Sequence, residues 1–206
     1  MESYETQWSP GEPPRGSWLL AAPLVLARVV VAVATTRQRP PDVVATINGE
    51  HISRAQFEAE VRMQDVRYAV SHRDQTTNRA AVLNRLIGDT LTLQAARDAD
   101  IVADPDAVQA ELERVLSRLG MSKEEMARLL EEHRLTWSDF KQSLRDYLTI
   151  RNFTDKTLLN EVAAIDRQRT LEQWMAEQYR ASEMDFDPDF LAEINPDGAD
   201  PLAIDG

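Results

Sequence analysis

Histidines and carboxylates are the side chains in this sequence that could support metal binding or acid–base catalysis. The three histidines are His51, His72 and His133, and none belongs to an H-x-x-x-H or H-E-x-x-H motif. That spacing would place two ligating side chains on one face of a helix, where they could share a metal ion. We therefore expect no metal site. The numerous carboxylates fall on predicted polar helix faces or near the carboxyl end, so the sequence does not support a catalytic carboxylate pair.

Other catalytic signatures are also missing from the sequence. The chain contains no cysteine, which excludes a thiolate nucleophile and a thiolate zinc site. It has neither a glycine-rich phosphate loop nor a G-x-S-x-G motif. We expect no cofactor and no enzymatic activity.

The charge distribution argues against a nucleic-acid partner. The 206-residue chain has a formal net charge of −12, whereas binding to phosphates requires clustered Lys and Arg side chains. Eight acids and no base lie between Glu183 and Gly206, so this end supplies two thirds of the net charge. With 43% apolar residues, 28% charged residues and 7 glycines, the composition of the whole chain is typical of a soluble, helix-rich protein.

Aromatic and methionine side chains are the remaining candidates for a functional surface. Methionine is flexible and polarisable, which suits a groove that accepts varied apolar partners. The same residues at helical spacing are also typical of an ordinary hydrophobic core, and only an exposed cluster would distinguish the two interpretations. The candidate peptide-binding residues are Met121, Met126, Trp137, Phe140, Tyr147, Trp174 and Met175.

An apolar stretch from Trp18 to Thr36 is the one candidate membrane contact in the sequence. It is just long enough to span a bilayer, but Arg28 near its middle makes insertion costly. Its end at Ala32 to Ala34 has the small-x-small form of a signal-peptide cleavage site, although the preceding leader is acidic where an export signal is basic. We expect a signal peptide or a membrane anchor. The alternative interpretation is a helix that is buried in a partner or lies on the membrane surface.

The elements that must position these side chains follow from local signals. Val43 to Ile47 is β-branched and precedes the Asn48-Gly49 turn signal, and a capping box at Ser53 then predicts a helix start. Periodic apolar residues predict further helices over about 79–99, 105–119, from 123, from 137 towards 159, and over 162–180, with a short strand within 182–188.

The first and last predicted elements of the body are both short strands. A lone strand cannot satisfy its own backbone hydrogen bonds, so we expect these two to pair and bring the ends of the body together. The fold class is therefore mainly α, a multi-helix domain with two short pairing strands near the ends of the body.

The order of these parts resembles the amino-terminal chaperone domain of the SurA family of bacterial foldases. The matching segments are "VVATINGEHISRAQFEAEV", "LNRLIGDTLTLQAARDADI", and "GMSKEE" followed by the long helix "TWSDFKQSLRDYLTIRNF". The segment "RQRTLEQWMAEQYRASEMDFDPDF" is similar to the helix and strand that close the domain in such proteins. In full-length relatives a parvulin prolyl-isomerase domain lies between these two pieces, and here only a few residues separate them. The resemblance therefore implies a chaperone domain without prolyl-isomerase activity.

The predicted organisation follows from these assignments. We expect a disordered leader over 1–17, the signal peptide or anchor over 18–36, a linker over 37–42, a helical domain over 43–190 and an acidic disordered tail over 191–206. Within the domain, 43–160 form the core and 161–190 the closing helix and strand.

The resemblance also implies a function. It implies binding of unfolded or extended polypeptides outside the cytoplasm, in the periplasm or on the outer face of the cell membrane. A homodimer is a further expectation. The alternative is a dedicated assembly or accessory subunit that uses the same scaffold for one partner.

Overall fold

The computed structural model describes Pro40, residues 42–73 and residues 75–195 of the chain. The expectations for the leader, for the apolar stretch over 18–36 and for the end of the acidic tail lie outside these residues. The described elements, in chain order, are β1 (Val43–Ile47), β2 (Glu50–Ser53), α1 (Arg54–Val70), α2 (Arg79–Asp98), α3 (Pro105–Leu119), α4 (Lys123–Glu132), α5 (Trp137–Phe153), a π-helical turn (Thr154–Leu158), α6 (Arg167–Ala181), β3 (Met184–Phe186) and α7 (Pro188–Ile194).

A three-stranded antiparallel sheet with the order β2-β1-β3 closes the described part of the chain. β1 turns into β2 through Asn48 and Gly49, which both have positive φ values, 51° and 84°. On its other edge β1 pairs with β3, with Ala45 opposite Phe186. The predicted pairing of the first and last strands is thus confirmed. The sequence did not predict β2, because its residues Glu50 and His51 are exposed and carry no apolar alternation.

Two hydrophobic clusters stabilise the fold, and α1 contributes to both. The first joins the sheet, α2 and α7 around Phe57, which is fully buried on α1. The second joins α3, α4 and α5 around Met63 and Val66, about two turns further along α1. α1 therefore connects the closing sheet to the helical bundle, and the predicted mainly α class is confirmed.

Local capping interactions fix where several helices begin. The capping boxes predicted at α4 and α5 are both complete, with Ser122 paired to Glu125 and Thr136 paired to Asp139. At α1 the box is half formed. The Ser53 hydroxyl accepts from the backbone N–H of Gln56 at 3.1 Å, but the Gln56 side chain makes no reciprocal contact with the backbone of Ser53. These caps align the helices that line the cavities described below.

The Thr136 cap provides a first prediction. Its hydroxyl accepts from the Asp139 amide at 3.1 Å. Thr136→Ala removes that acceptor, and we expect the free energy of unfolding to fall by about 0.5–2 kcal/mol in urea denaturation. The matched control is Thr157→Ala at an exposed position, for which we expect a change below about 0.5 kcal/mol. Equal losses in the two variants would contradict a capping role for Thr136.

The closing segment differs from the prediction at both ends. The helix expected from Val162 begins at Arg167, and the preceding residues form turns in which Ile165 is 90% exposed. Beyond β3 the chain forms α7, which continues to Ile194 and so passes the expected start of the tail at residue 191. Phe190 and Ile194, four residues apart, are buried in the first cluster, which explains why α7 is helical.

Candidate functional site

An apolar groove of about 320 Å³ lies between α1, α3, α4 and α5. Met63, Val66 and Val70 of α1 form one wall, and Phe140 and Leu144 of α5 face them. We call this cavity the apolar groove. Its remaining lining residues are Arg67, Glu111, Val115, Arg118, Leu119, Met126, Ser143 and Tyr147.

A second cavity, of about 470 Å³, is lined mainly by charged and polar side chains. It lies between β2, α1, α2 and α5, and we call it the charged cavity. Its ionisable lining residues are Glu50, Glu60, Arg67, Arg85, Asp89, Asp146 and Tyr147.

A third cavity, of about 400 Å³, lies between α2, the end of α5, the π-helical turn and α6. We call it the α6 groove. Gly88 forms part of its floor, and a Cβ atom at that position would lie 3.7 Å from the Met175 Cε atom. The other lining residues are Asn84, Arg85, Asp89, Thr92, Ile150, Thr154, Leu158, Leu171, Trp174 and Tyr179.

Shared lining residues join the three cavities through the charged one. Arg67, Ser143 and Tyr147 line both the apolar groove and the charged cavity. Arg85, Asp89 and Ile150 line both the charged cavity and the α6 groove. The α5 residues of these sets recur at helical spacing, so one face of α5 faces all three cavities.

Burial perturbs the ionisable groups of the charged cavity. It raises the pKa of the Asp89 carboxyl to about 6, even though the guanidinium of Arg85 acts in the opposite direction. It also raises the pKa of Asp146, against a hydrogen bond from Gln142. Burial lowers the pKa of the Arg67 guanidinium. The directions differ because loss of water disfavours the charged form, which is the deprotonated form of a carboxyl and the protonated form of a guanidinium.

Both arginines of the charged cavity are held by neighbouring side chains. Arg85 forms an ion pair with Glu60 at 3.1 Å. Arg67 donates to Gln64 Oε1 and to Ser143 Oγ, each at 3.3 Å. Asp89, by contrast, forms no ion pair within 4.0 Å among residues 42–73 and 75–195.

The structure distributes the seven candidate peptide-binding residues over separate places. Met126, Phe140 and Tyr147 line the apolar groove, although Met126 is almost fully buried. Trp174 and Met175 line the α6 groove. Met121 and Trp137 pack against the second hydrophobic cluster and line none of the three cavities, although the Trp137 ring contacts Phe140. Tyr147, which is 51% exposed, is the most accessible of these aromatic side chains.

Sequence reasoning missed the charged cavity, because it assigned the carboxylates to solvated helix faces. One local signal was available at Asp89, which lies between Ile87 and Leu91 on the stretch predicted to face inward. Gly88 beside it is a second signal, since glycine inside a helix often marks a close approach of another element.

The described part of the chain holds neither a metal-binding cluster nor a membrane-spanning helix. No group of three or more histidine and carboxylate side chains there is arranged to hold a metal ion. In the same residues, no helix combines the length and the apolar character needed to cross a membrane.

Comparison with known proteins identifies relatives of this arrangement. Residues 16–154 match the family model described as the SurA-like N-terminal domain. Chaperone SurA of Chromohalobacter salexigens is 24% identical over 159 residues, which are 75% of this chain and 36% of that protein. Chaperone SurA of Burkholderia thailandensis is 26% identical over 72% of this chain, and that of Polaromonas sp. is 25% identical over 83%.

The extent of these matches defines what is shared. The chain spans about a third of the length of these relatives, 36% in each of the three cases. The family match covers most of the described residues, from β1 to the start of the π-helical turn. The chain therefore belongs to the SurA-like N-terminal domain family.

Proposed function

We propose that this protein is a folding chaperone that binds unfolded or extended polypeptides in the grooves beside α5. The observation that carries the proposal is the apolar groove, a cavity of about 320 Å³ whose more exposed lining residues are Val70, Val115, Leu119 and Tyr147. Family membership and the naming of the relatives as chaperones support the same function.

The physical basis of binding is burial of client side chains. Transfer of one large apolar side chain from water into such a groove is worth about 1.5–3 kcal/mol. Ordering a flexible client opposes binding, so we expect modest affinity for any single segment. Met63 and Met126 belong to the second hydrophobic cluster and are almost fully buried, so client contact should fall chiefly to the more exposed lining residues Val70, Val115, Leu119 and Tyr147.

Three further parts of the proposal concern the protein's setting. We propose that it acts outside the cytoplasm, with residues 18–36 serving as a signal peptide or membrane anchor, and that it has no prolyl-isomerase activity. The last point is supported by the short interval between the π-helical turn, which ends at Leu158, and α6, which begins at Arg167, because the isomerase domain lies between the corresponding pieces of full-length relatives. A coupled proteolysis assay on a proline-containing peptide tests it, with no acceleration expected over the uncatalysed rate.

Tyr147 provides the main test of client binding. It lines both the apolar groove and the charged cavity and is 51% exposed, so its loss should leave the core intact. For Tyr147→Ala we expect affinity for a labelled unfolded client to fall about three- to tenfold in fluorescence anisotropy, together with weaker suppression of aggregation. The control is Ile165→Ala, because Ile165 is 90% exposed and lines none of the three cavities.

Two results would contradict this function. If the purified protein at excess did not slow the aggregation of several unfolded clients, the general chaperone proposal would fail. A native pull-down distinguishes a chaperone from the alternative, a dedicated assembly subunit. One stoichiometric partner would support the assembly subunit, and many weakly bound clients would support the chaperone.

A further inference from the structure

We infer that the charged cavity selects client segments in which a lysine or arginine side chain is flanked on both sides by apolar residues. This inference rests on the proposed function and names the class of polypeptide that the joined cavities would take. The basic side chain of the client would occupy the charged cavity, and its apolar side chains would occupy the apolar groove and the α6 groove.

Charge complementarity is the first support. The charged cavity is lined by the carboxylates of Glu50, Glu60, Asp89 and Asp146 and by the guanidinium groups of Arg67 and Arg85. Glu50 is paired with Arg97, and Glu60 with Arg85. The remaining carboxylates, Asp89 and Asp146, outnumber Arg67, so the cavity has an excess of negative charge.

The absence of close cationic partners at these two carboxylates is the second support. Neither Asp89 nor Asp146 forms an ion pair within 4.0 Å among the residues that the structure describes, and Asp146 accepts one hydrogen bond, from Gln142 at 2.8 Å. Arg67 is turned towards Gln64 and Ser143 instead. A basic client side chain would supply the opposite charge that these two partly buried carboxylates lack.

The third support is continuity with apolar surface on both sides. Phe140 faces the apolar groove, Asp146 the charged cavity and Thr154 the α6 groove. At 1.5 Å per helical residue, Asp146 lies about 9 Å from Phe140 along α5 and about 12 Å from Thr154, the first residue of the π-helical turn that follows α5. An extended peptide advances about 3.3 Å per residue, so the flanking apolar side chains should lie roughly three to four positions from the basic residue.

The same arrangement predicts how binding depends on pH. Asp89 is faced by Glu60 and Arg67 of α1, Arg85 of its own helix, Asp146 of α5 and Tyr179 of α6, with Glu50 of β2 on the same cavity. Protonation of Asp89 as the pH falls from 7.5 to 5 would remove negative charge from the cavity. A basic client should therefore bind more weakly at pH 5 than at pH 7.5.

The test uses the purified full chain and three labelled peptides that differ at one position. Each peptide has Leu-Phe pairs three to four positions on either side of a central arginine, citrulline or glutamate. Citrulline has nearly the shape of arginine without its charge. In fluorescence anisotropy at pH 7.5 we expect the arginine peptide to bind about five- to tenfold more tightly than the citrulline peptide, and the glutamate peptide more weakly than both.

The double variant Asp89→Asn/Asp146→Asn should bind the arginine and citrulline peptides with equal affinity, within about twofold of each other. The matched control is Asp155→Asn/Glu161→Gln, which changes two exposed acids outside the three cavities and should retain the preference. Circular dichroism verifies that each variant is folded.

The outcomes distinguish the inference from the proposed function. Equal affinity for the arginine and citrulline peptides, or equal loss of preference in both double variants, would overturn the inference while client binding stands. If neither peptide binds at any accessible concentration, the proposed function fails, and the inference fails with it.

Discussion

Phe190→Ala is expected to lower the free energy of unfolding by about 3–5 kcal/mol. The Phe190 ring is fully buried and packs edge-to-face on Phe57, with the ring centroids 4.9 Å apart. The guanidinium of Arg54 lies 5.0 Å from the centroid of the Phe190 ring. Truncation therefore leaves a cavity beneath the sheet and removes an aromatic pair from the first hydrophobic cluster.

The loss should be concentrated where the chain closes. Besides Phe190, Glu193 joins α7 to the rest of the fold by accepting from Arg54 at 2.8 Å and from Arg79 at 3.4 Å. These ion pairs are partly exposed and are worth little by themselves. We expect hydrogen exchange in Phe190→Ala to accelerate first in α7 and β3.

Urea denaturation followed by circular dichroism measures the change. Val102→Ala is the control, because Val102 is 66% exposed and its truncation should change the free energy of unfolding by less than about 0.5 kcal/mol. A loss below about 1 kcal/mol in Phe190→Ala would contradict the packing of α7 against Phe57.

Local signals in the sequence predicted most of the elements of the fold. β-branched residues before Asn48-Gly49 identify β1, and apolar periodicity with caps identifies α1 to α5. The prediction failed where composition concealed a short apolar pattern. In α7, the acids around Phe190 and Ile194 resemble a solvated tail, and only the contact with the first hydrophobic cluster reveals the helix.

The candidate site was less accessible to sequence reasoning for a related reason. Phe140 and Tyr147 could be placed on one face of a helix from their spacing alone. The burial of Asp89, however, arises from packing between α1, α2 and α5, whose residues are far apart in the sequence. The local signals at Asp89, its place between Ile87 and Leu91 and the neighbouring Gly88, indicate an inward position but do not show which helices pack around it.

Asp89→Asn is expected to stabilise the protein at neutral pH by about 1–3 kcal/mol. Burial raises the pKa of this carboxyl from its ordinary value of 3.8 to about 6 in the folded protein. The folded state therefore binds a proton more tightly than the unfolded chain, and the wild type loses stability as the pH rises from about 4 through about 6. Asparagine has a similar shape and does not ionise, so the variant avoids that loss.

The pH profile makes this prediction specific. Well below pH 3.8, where Asp89 is protonated in both states, the variant and the wild type should differ little, and the gap should open as the pH rises from about 3.8 to above 6. Urea denaturation at pH 3.5, 5 and 7.5 measures the gap, with Asp155→Asn as the exposed control. Destabilisation of Asp89→Asn at pH 7.5 would show instead that attraction to Arg85 and Arg67 outweighs the cost of burial.

Stability and client binding should then move in opposite directions at Asp89. A carboxylate that served only the fold would be expected to stabilise it, yet burial makes this one unfavourable at neutral pH. Residues that destabilise a fold are commonly retained at binding sites, where the partner supplies the missing interaction. If the variant is more stable at pH 7.5 and no longer prefers arginine, the negative charge of Asp89 serves client binding at the expense of stability. If the variant is more stable but its preference for arginine is unchanged, Asp89 is not part of the binding surface.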